Sequence, residues 1–409
     1  MPDTTTVSES TSATPAFPMA RTCPYALPEG YTDLRGKEAP LQRVTLFDGT
    51  GAWVVSGHAE ARKLLADSRL SSDKLNPGFP AISVAEKAHR PFRTITELDP
   101  PEHDTHRRML IPAFTARRIQ EMRPLVQKIV DDCLDAIIEK GPSVDLVAEF
   151  AVHVPSMVIC HLLDIPYEDH EFFQAMTRKI TQERGTLDEA GIKQVLGETW
   201  GYLDRRVTEL ENEPEQGLLS LLATERVASG TLEHHDLVAM ALVLLVAAQE
   251  TTSSTLGSGI VTLLEHPGQL ARLQADPALW PNAVEELLRF TSVADMGTRR
   301  AAKEDIEIGG VVIRAGEGVI IPNLLVNRDP KVFADPDTFD VGRSARTHLA
   351  FGHGVHNCIG QNMSRLVLEV GFQSLFTRLP GLRLAVAAEE LEMSPAGGVQ
   401  TLTALPVAW

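Results

Sequence analysis

The sequence predicts a mainly α fold with small β-sheets. Three observations carry that prediction. Apolar residues recur with helical spacing over most of residues 59 to 265. One stretch, Glu233 to Glu265, reads as a single helix longer than most in globular proteins, stopped by Pro267. Strand signals, by contrast, are short and confined to residues 44–55, 305–321 and the C-terminal end.

In chain order, Val44–Phe47 and Ala52–Val55 flank Asp48-Gly49-Thr50-Gly51, a hairpin turn sequence. Helices are expected near Ala59–Ala66, His103–Phe114, Ala116–Ile138, Val154–Leu163, His170–Arg178, Asp188–Glu211 and Leu218–Ala228. Ser71–Pro101 has little periodicity and several prolines, the pattern of a long functional or disordered loop. Short strands are expected at Asp305–Ile308, Val311–Ile313 and Gly318–Ile321, and final strands at Arg383–Val386 and Val399–Leu402.

Composition narrows the function classes. With 409 residues, 43% hydrophobic and 23% charged, the chain can build a large core. No repeat or interior linker stands out, so residues 21–409 read as one domain behind a disordered Ser/Thr/Pro-rich tail, 1–20. A net charge of −17 argues against nucleic acid or an anionic membrane surface as the main partner. Cys23, Cys133, Cys160 and Cys358 are scattered, without zinc or disulfide spacing, as expected in a reducing compartment. No signal peptide is apparent, and the longest apolar run, Leu237 to Ala248, is too short to span a bilayer. The expectation is a soluble, cytoplasmic monomer that binds no membrane.

The predicted central helix is apolar nearly all round from Leu237 to Ala248 and should be buried. Ala247-Ala248-Gln249-Glu250-Thr251-Thr252 then interrupts it with an acid and two alcohols, groups costly to bury without partners. Either the helix surfaces there, or Thr251 bonds back to the carbonyl of Ala247 and bends it. A functional reading joins the two: small Ala247 and Ala248 admit a flat group, and Glu250 and Thr251 handle protons beside it.

Phe351-Gly352-His353-Gly354-Val355-His356-Asn357-Cys358-Ile359-Gly360 precedes an amphipathic run, Gln361 to Leu379. Cys358 therefore sits near a helix N-terminus, where free N–H groups favour a thiolate. Gly354 and Gly360 let the backbone approach something flat in conformations other residues resist. A soft anionic ligand in a tight apolar loop suits haem iron better than zinc, which needs several protein ligands. The bland alternative is a buried free cysteine.

This pattern (Phe, two residues, Gly, one residue, His, one residue, Cys, one residue, Gly) resembles the haem-binding loop of the cytochrome P-450 superfamily. The resemblance implies that superfamily's fold, with the long central helix crossing haem b. Cys358 would be the axial thiolate and metal ligand, with Phe351, Gly352 and Gly360 shaping its loop and His356 meeting a propionate. Ala247 and Ala248 would lie against the haem, with Glu250 and Thr251 as the acid–alcohol pair of the oxygen-activating helix. Related actinobacterial enzymes often carry His where this chain has Gln249. Glu286-Leu287-Leu288-Arg289, by default a weak surface pair at i, i+3, would form with Arg343 of Asp335–Arg343 a charged triad that locks the loop. His103 and Arg107 of His103-Asp104-Thr105-His106-Arg107 would serve the propionates, as would Arg300 or the adjacent Arg299.

The resemblance spans about residues 21–409 and looks most like the soluble actinobacterial branch, which oxidises polyketides, macrolides, terpenoids, statin-like lactones and vitamin D-like sterols. It implies hydroxylation of a lipophilic substrate by dioxygen. With no flavin or nicotinamide fingerprint in the chain, electrons would come from NAD(P)H through ferredoxin reductase and ferredoxin. Substrate walls are expected from residues 71–95 including Ile95, from Glu171–Arg178, from Val243 and Ala247, from Val293–Ala294, and from residues 398–400 including Val399. Arg107, Arg108, Arg117, Arg118 and Arg365 are candidates for ferredoxin docking, against a default of ordinary solvated bases. Rival functions are a haem-thiolate peroxygenase, a non-catalytic haem or lipophile carrier, and a hydrolase or transferase using Cys358 as nucleophile.

Overall fold

The computed structural model describes residues 14–19, 21, 23–83, 86, 93–181, 189–394 and 398–409. Helices dominate it. The central helix runs unbroken from His234 to Glu265, and the helices His153–Leu162, Glu189–Asn212, Trp280–Thr291 and Gln361–Arg378 pack against it. Among the described residues it is the one helix long and apolar enough to cross a bilayer, but 67% of its most apolar window is buried in the fold. Its oiliness is used for packing.

Packing around this helix is tight. A Cβ added to Gly259 would fall 2.4 Å from the ring of Phe372 on Gln361–Arg378. That ring in turn stacks on Trp280, centroids 6.4 Å apart, so three helices meet at one point.

The strands are β1 (Leu41–Thr45), β2 (Gly51–Val55), β3 (Leu70–Ser71), β4 (Ser143–Asp145), β5 (Arg299–Ala302), β6 (Ile306–Ile308), β7 (Val311–Ile313), β8 (Gly318–Ile320), β9 (Arg383–Leu384) and β10 (Pro406–Ala408). They form a five-stranded sheet ordered β1-β2-β8-β5-β3, a three-stranded sheet β4-β10-β9 and the hairpin β6-β7. The β1–β2 hairpin forms as expected. Asp48 Oδ1 accepts from the Thr50 amide at 3.0 Å, and Gly49 takes the left-handed φ of 81° that the turn needs. In the five-stranded sheet, β5 lies antiparallel to β8, with Arg299 opposite Ile320 and Arg300 opposite Val319.

Three expectations need correction, and two elements were missed. The expected disordered tail is docked in part: Phe17 is buried, and the Phe17 amide donates to Thr45 while Pro15 accepts from the Thr45 amide. An unpaired edge of β1 and an apolar side chain suffice for that. The expected Ala116–Ile138 helix is two helices, Ala116–Glu121 and Arg123–Lys140, because Pro124 has no amide to continue the first. The last strand is Pro406–Ala408, not Val399–Leu402, where only a bridge between Leu402 and Met393 forms. Strand β5 and the helix Glu29–Arg35 were not expected. Of the expected loop Ser71–Pro101, residues 84, 85 and 87–92 lie outside the described residues.

Candidate functional site

Cys358 is the exposed one of the chain's four cysteines; Cys133 and Cys160 are buried. Its loop is closed on itself. The Cys358 amide donates to the Phe351 carbonyl at 2.8 Å, and the Asn357 side-chain amide donates to the Phe351 and Gly352 carbonyls at 3.2 Å each. Gly352 and Gly354 take φ of 68° and 73°. A Cβ on Gly354 would also strike the Leu65 carbonyl oxygen at 2.2 Å, so this glycine is required twice over. Gly360 is different. Its φ of −81° is open to any residue, and a Cβ there would sit 3.9 Å from the Cys358 sulfur. Its role is to leave space at the sulfur, not to permit a special backbone.

The Cys358 side chain is accessible at its surface yet closely surrounded by protein atoms. Burial pushes its thiol up, outweighing the Gly360 amide and the guanidiniums of Arg107 and Arg365, which pull it down. The helix-terminus expectation thus has the sign of the smaller contribution. Among the described residues, no group of three or more His, Cys, Asp or Glu side chains could hold a metal ion. One sulfur without companion ligands fits a metal that brings its own, such as porphyrin iron.

Beside this loop lies a basic cluster. The His103 and His356 rings are 4.2 Å apart, and His356 Nε2 meets Ser72 Oγ at 2.9 Å. Burial, then the charges of Arg300, His103 and Arg107, drive His356 down to about 3, with only Asp99 opposing. His356 is therefore neutral. Arg107 donates to the Asn357 carbonyl at 2.6 Å, next to Cys358. Arg300, which burial pushes down to about 10, donates to the Arg299 carbonyl. Arg299 faces the other way and pairs with Glu86, Nη2 to Oε1 at 2.7 Å. The two candidates are thereby separated: Arg300 belongs to the basic cluster, which can receive anions.

The central helix carries an uncovered stripe of its own. Val243, Val246, Ala247, Ala248, Glu250 and Thr251 are partly uncovered while their neighbours are buried. Residues 243, 247, 250 and 251 fall on one face of a helix of 3.6 residues per turn. Thr251 Oγ1 donates to the Ala247 carbonyl at 2.8 Å, and Thr255 Oγ1 to that of Thr251 at 2.8 Å. This is the back-bonding expected, repeated one turn on. Gln249 is buried on another face.

Glu286 and Arg289 are fully buried, not the default surface pair, and Arg343 joins them as the resemblance implies. Arg289 grips both oxygens of Glu286 at 2.7 and 2.8 Å, Arg343 Nε reaches Oε1 at 3.1 Å, and the Asp340 amide does the same at 3.1 Å. Partners more than 50 residues away in sequence bring the pair into the core. Sequence reasoning missed the neighbouring carboxylate. Glu285 receives Arg365 Nε at 2.6 Å and Nη2 at 3.1 Å, and His348 Nε2 at 3.1 Å. Despite burial, His348 and Arg365 hold it down at about 2. Two adjacent acids in a helix otherwise buried was the available signal.

Of the expected substrate walls, Ile95, Val243, Ala294 and Val399 are half-buried and Ala247 is exposed, but Val293 is 5% exposed and offers little surface. The Gln400 amide donates to Val293 at 2.9 Å and the Met296 amide to Gly398 at 3.2 Å, so these two walls are stitched together. The docking candidates divide. Arg365 is tied to Glu285 and Arg107 to the Cys358 loop, which takes both out of a free surface patch. Arg117 and Arg118 share Glu121 at 3.2 and 3.5 Å, and Arg108 is exposed.

Similarity to known proteins agrees with this geometry. The Cytochrome P450 family model matches residues 161–277 and 278–380. The chain is 48% identical to a vitamin D3 dihydroxylase of Streptomyces griseolus across all of both proteins. It is 47% identical to pentalenic acid synthase of Streptomyces avermitilis, covering 98% of each. Its structure superposes on mycinamicin VIII C21 methyl hydroxylase of Micromonospora griseorubida, bound to mycinamicin VIII, with a TM-score of 0.91 and 41% identity over 97% of this chain and 100% of that one. With a lone cysteine in a fitting loop and this coverage, the chain belongs to the cytochrome P450 family of haem-iron monooxygenases.

Proposed function

We propose that this protein hydroxylates a C–H bond of a lipophilic small molecule, with Cys358 as the thiolate that would hold haem b and NAD(P)H-derived electrons delivered by a ferredoxin. The observation that carries this reading is the pairing of an exposed sulfur with a basic cluster and an uncovered stripe on an otherwise buried helix. Haem, when bound, supplies reductive activation of dioxygen. Everything else falls to the chain.

Cys358 would hold the iron as a thiolate, the metal's positive charge countering the upward push of burial on the thiol. His103, His356, Arg107 and Arg300 would take the propionates: Arg107 and Arg300 as cations, neutral His356 through a ring N–H. Ala247 and Ala248, with no bulk beyond Cβ, would leave room for the macrocycle beside the helix. The Thr251 hydroxyl, its proton given to Ala247, keeps lone pairs toward the cleft to accept and relay a proton. Glu250, on the same face, is the acid that exchanges protons with solvent. Ile95, Val243, Ala294 and Val399 exclude water and hold an apolar substrate.

Relatives named for vitamin D3 and mycinamicin support a lipophilic substrate of moderate size. A ferredoxin would approach the exposed bases Arg108, Arg117 and Arg118, charge steering its encounter. The test is turnover of lipophilic candidates, chosen by their shift of the haem band, with ferredoxin, reductase and isotopically labelled dioxygen. One labelled oxygen atom in the product is expected. Product formed only with peroxide, or none with any candidate that binds, would overturn the proposal.

A further inference from the structure

Glu285 and Glu286 are adjacent, yet they serve different parts of the chain. Glu286 holds Arg289 and Arg343. Glu285 holds His348, ten residues before Cys358, and Arg365, seven residues after it. One carboxylate thus clasps both flanks of the cysteine loop.

The charges in this clasp are fixed by its hydrogen bonds. His348 Nδ1 accepts from the Ala350 amide at 3.1 Å, so Nε2 carries a proton directed at Glu285. Glu285 is buried and ionised. Arg365 is bound through two nitrogens to it, and its Nη1 donates to Gln361 at 2.9 Å. The clasp therefore sets one carboxylate against one guanidinium, with the imidazole as a further hydrogen-bond donor. Arg365 also lies over the ring of Phe351, 4.6 Å from its centroid. The carbonyl of Phe351 accepts the Cys358 amide. Arg365 acts on the Cys358 sulfur by charge as well, in the direction that favours the thiolate.

We infer that Glu285 is a positioning residue that sets the electrostatic potential at the Cys358 sulfur by neutralising Arg365, and through it the reduction potential of the iron. This rests on Cys358 being the haem ligand. With Glu285 ionised, Arg365 keeps its place over Phe351 while most of its field is cancelled. Without that anion, the guanidinium would stand uncompensated in a poorly solvated setting, where charge acts strongly. It would draw electron density from the sulfur and stabilise the reduced iron, whose charge is one unit more negative.

The test is the reduction midpoint and the reduced, carbon monoxide-bound spectrum of the holoenzyme for the parent, E285Q and E285Q/R365M. The midpoint of E285Q is expected to rise by an amount worth several-fold in the reduction equilibrium. The double variant, having lost both charges, is expected to return close to the parent. A purely structural clasp would leave the double variant no better than E285Q, and an unmoved midpoint in E285Q with a normal parent spectrum would overturn the inference. If E285Q does not fold, E285D replaces it, its shorter side chain weakening the ion pair and giving a smaller rise; no rise overturns the inference too. A parent without a thiolate-type spectrum would instead overturn the haem-ligand reading beneath it.

Discussion

Arg299 and Arg300 are neighbours on β5 but occupy different environments: Arg299 is closed off by Glu86, while Arg300 meets no carboxylate within ion-pair distance among the described residues. Strand alternation turns adjacent side chains to opposite faces, one serving the fold and the other left for an anion. R300A is expected to release haem to an apo-globin acceptor several-fold faster than the parent, with little change in folding stability. E86A leaves Arg299 buried and unpaired, and should cost about 3–5 kcal/mol in denaturant unfolding. Equal haem release from R300A and parent would remove Arg300 from the propionate site.

Thr251, half-buried on the uncovered stripe of the central helix, gives its hydroxyl proton to the Ala247 carbonyl. T251A is expected to keep consuming NADH in the reconstituted chain while product per NADH falls several-fold and peroxide accumulates. Full coupling in T251A would show that the proton passes elsewhere and would favour direct use of peroxide.

At Gly259, any side chain meets a ring that cannot retreat, because Phe372 is stacked on Trp280. G259A should lower stability by about 1–3 kcal/mol, the usual cost of overpacking. The shift in denaturant midpoint measures it, and an unchanged midpoint would mean that the crossing is looser than it looks.

His234, at the start of the central helix, is clasped by Glu211 at 2.8 Å and Asp204 at 3.1 Å from the helix Glu189–Asn212. Burial lowers its pKa, but the two carboxylates outweigh that and raise it above 6.5. The native state therefore favours the protonated ring. Its contribution is complete below the unfolded value of 6.5 and fades as pH rises through the higher native value. The Tm gap between parent and H234Q should be widest below pH 6.5 and shrink at alkaline pH. A gap that widens instead would contradict the clasp.

What the sequence made legible was local. The Cys358 loop, the β1–β2 turn and the long central helix each declare themselves within a few residues, through glycine, turn chemistry or unbroken apolar periodicity. What it hid depends on partners far away. Glu286–Arg289 looks like a solvated helix pair until Arg343 and the Asp340 amide arrive. Glu285 has only its adjacency to Glu286 as a local signature, since His348 and Arg365 come from either side of a loop more than 60 residues on. Arg365 was misread as a surface base for the same reason. Likewise, a sequence shows that Arg299 and Arg300 are both present, but only strand pairing shows which one Glu86 takes. Val399–Leu402 had the composition of a strand, yet Pro406–Ala408 is what β4 and β9 pair with.

The most direct test of the central claim is one absorption spectrum of the purified holoenzyme, reduced and bound to carbon monoxide, with C358S alongside. Ligation by Cys358 predicts the strongly red-shifted band of a thiolate-bound haem in the parent and its loss in C358S. A parent band typical of neutral axial ligation, or the same spectrum in C358S, would contradict it.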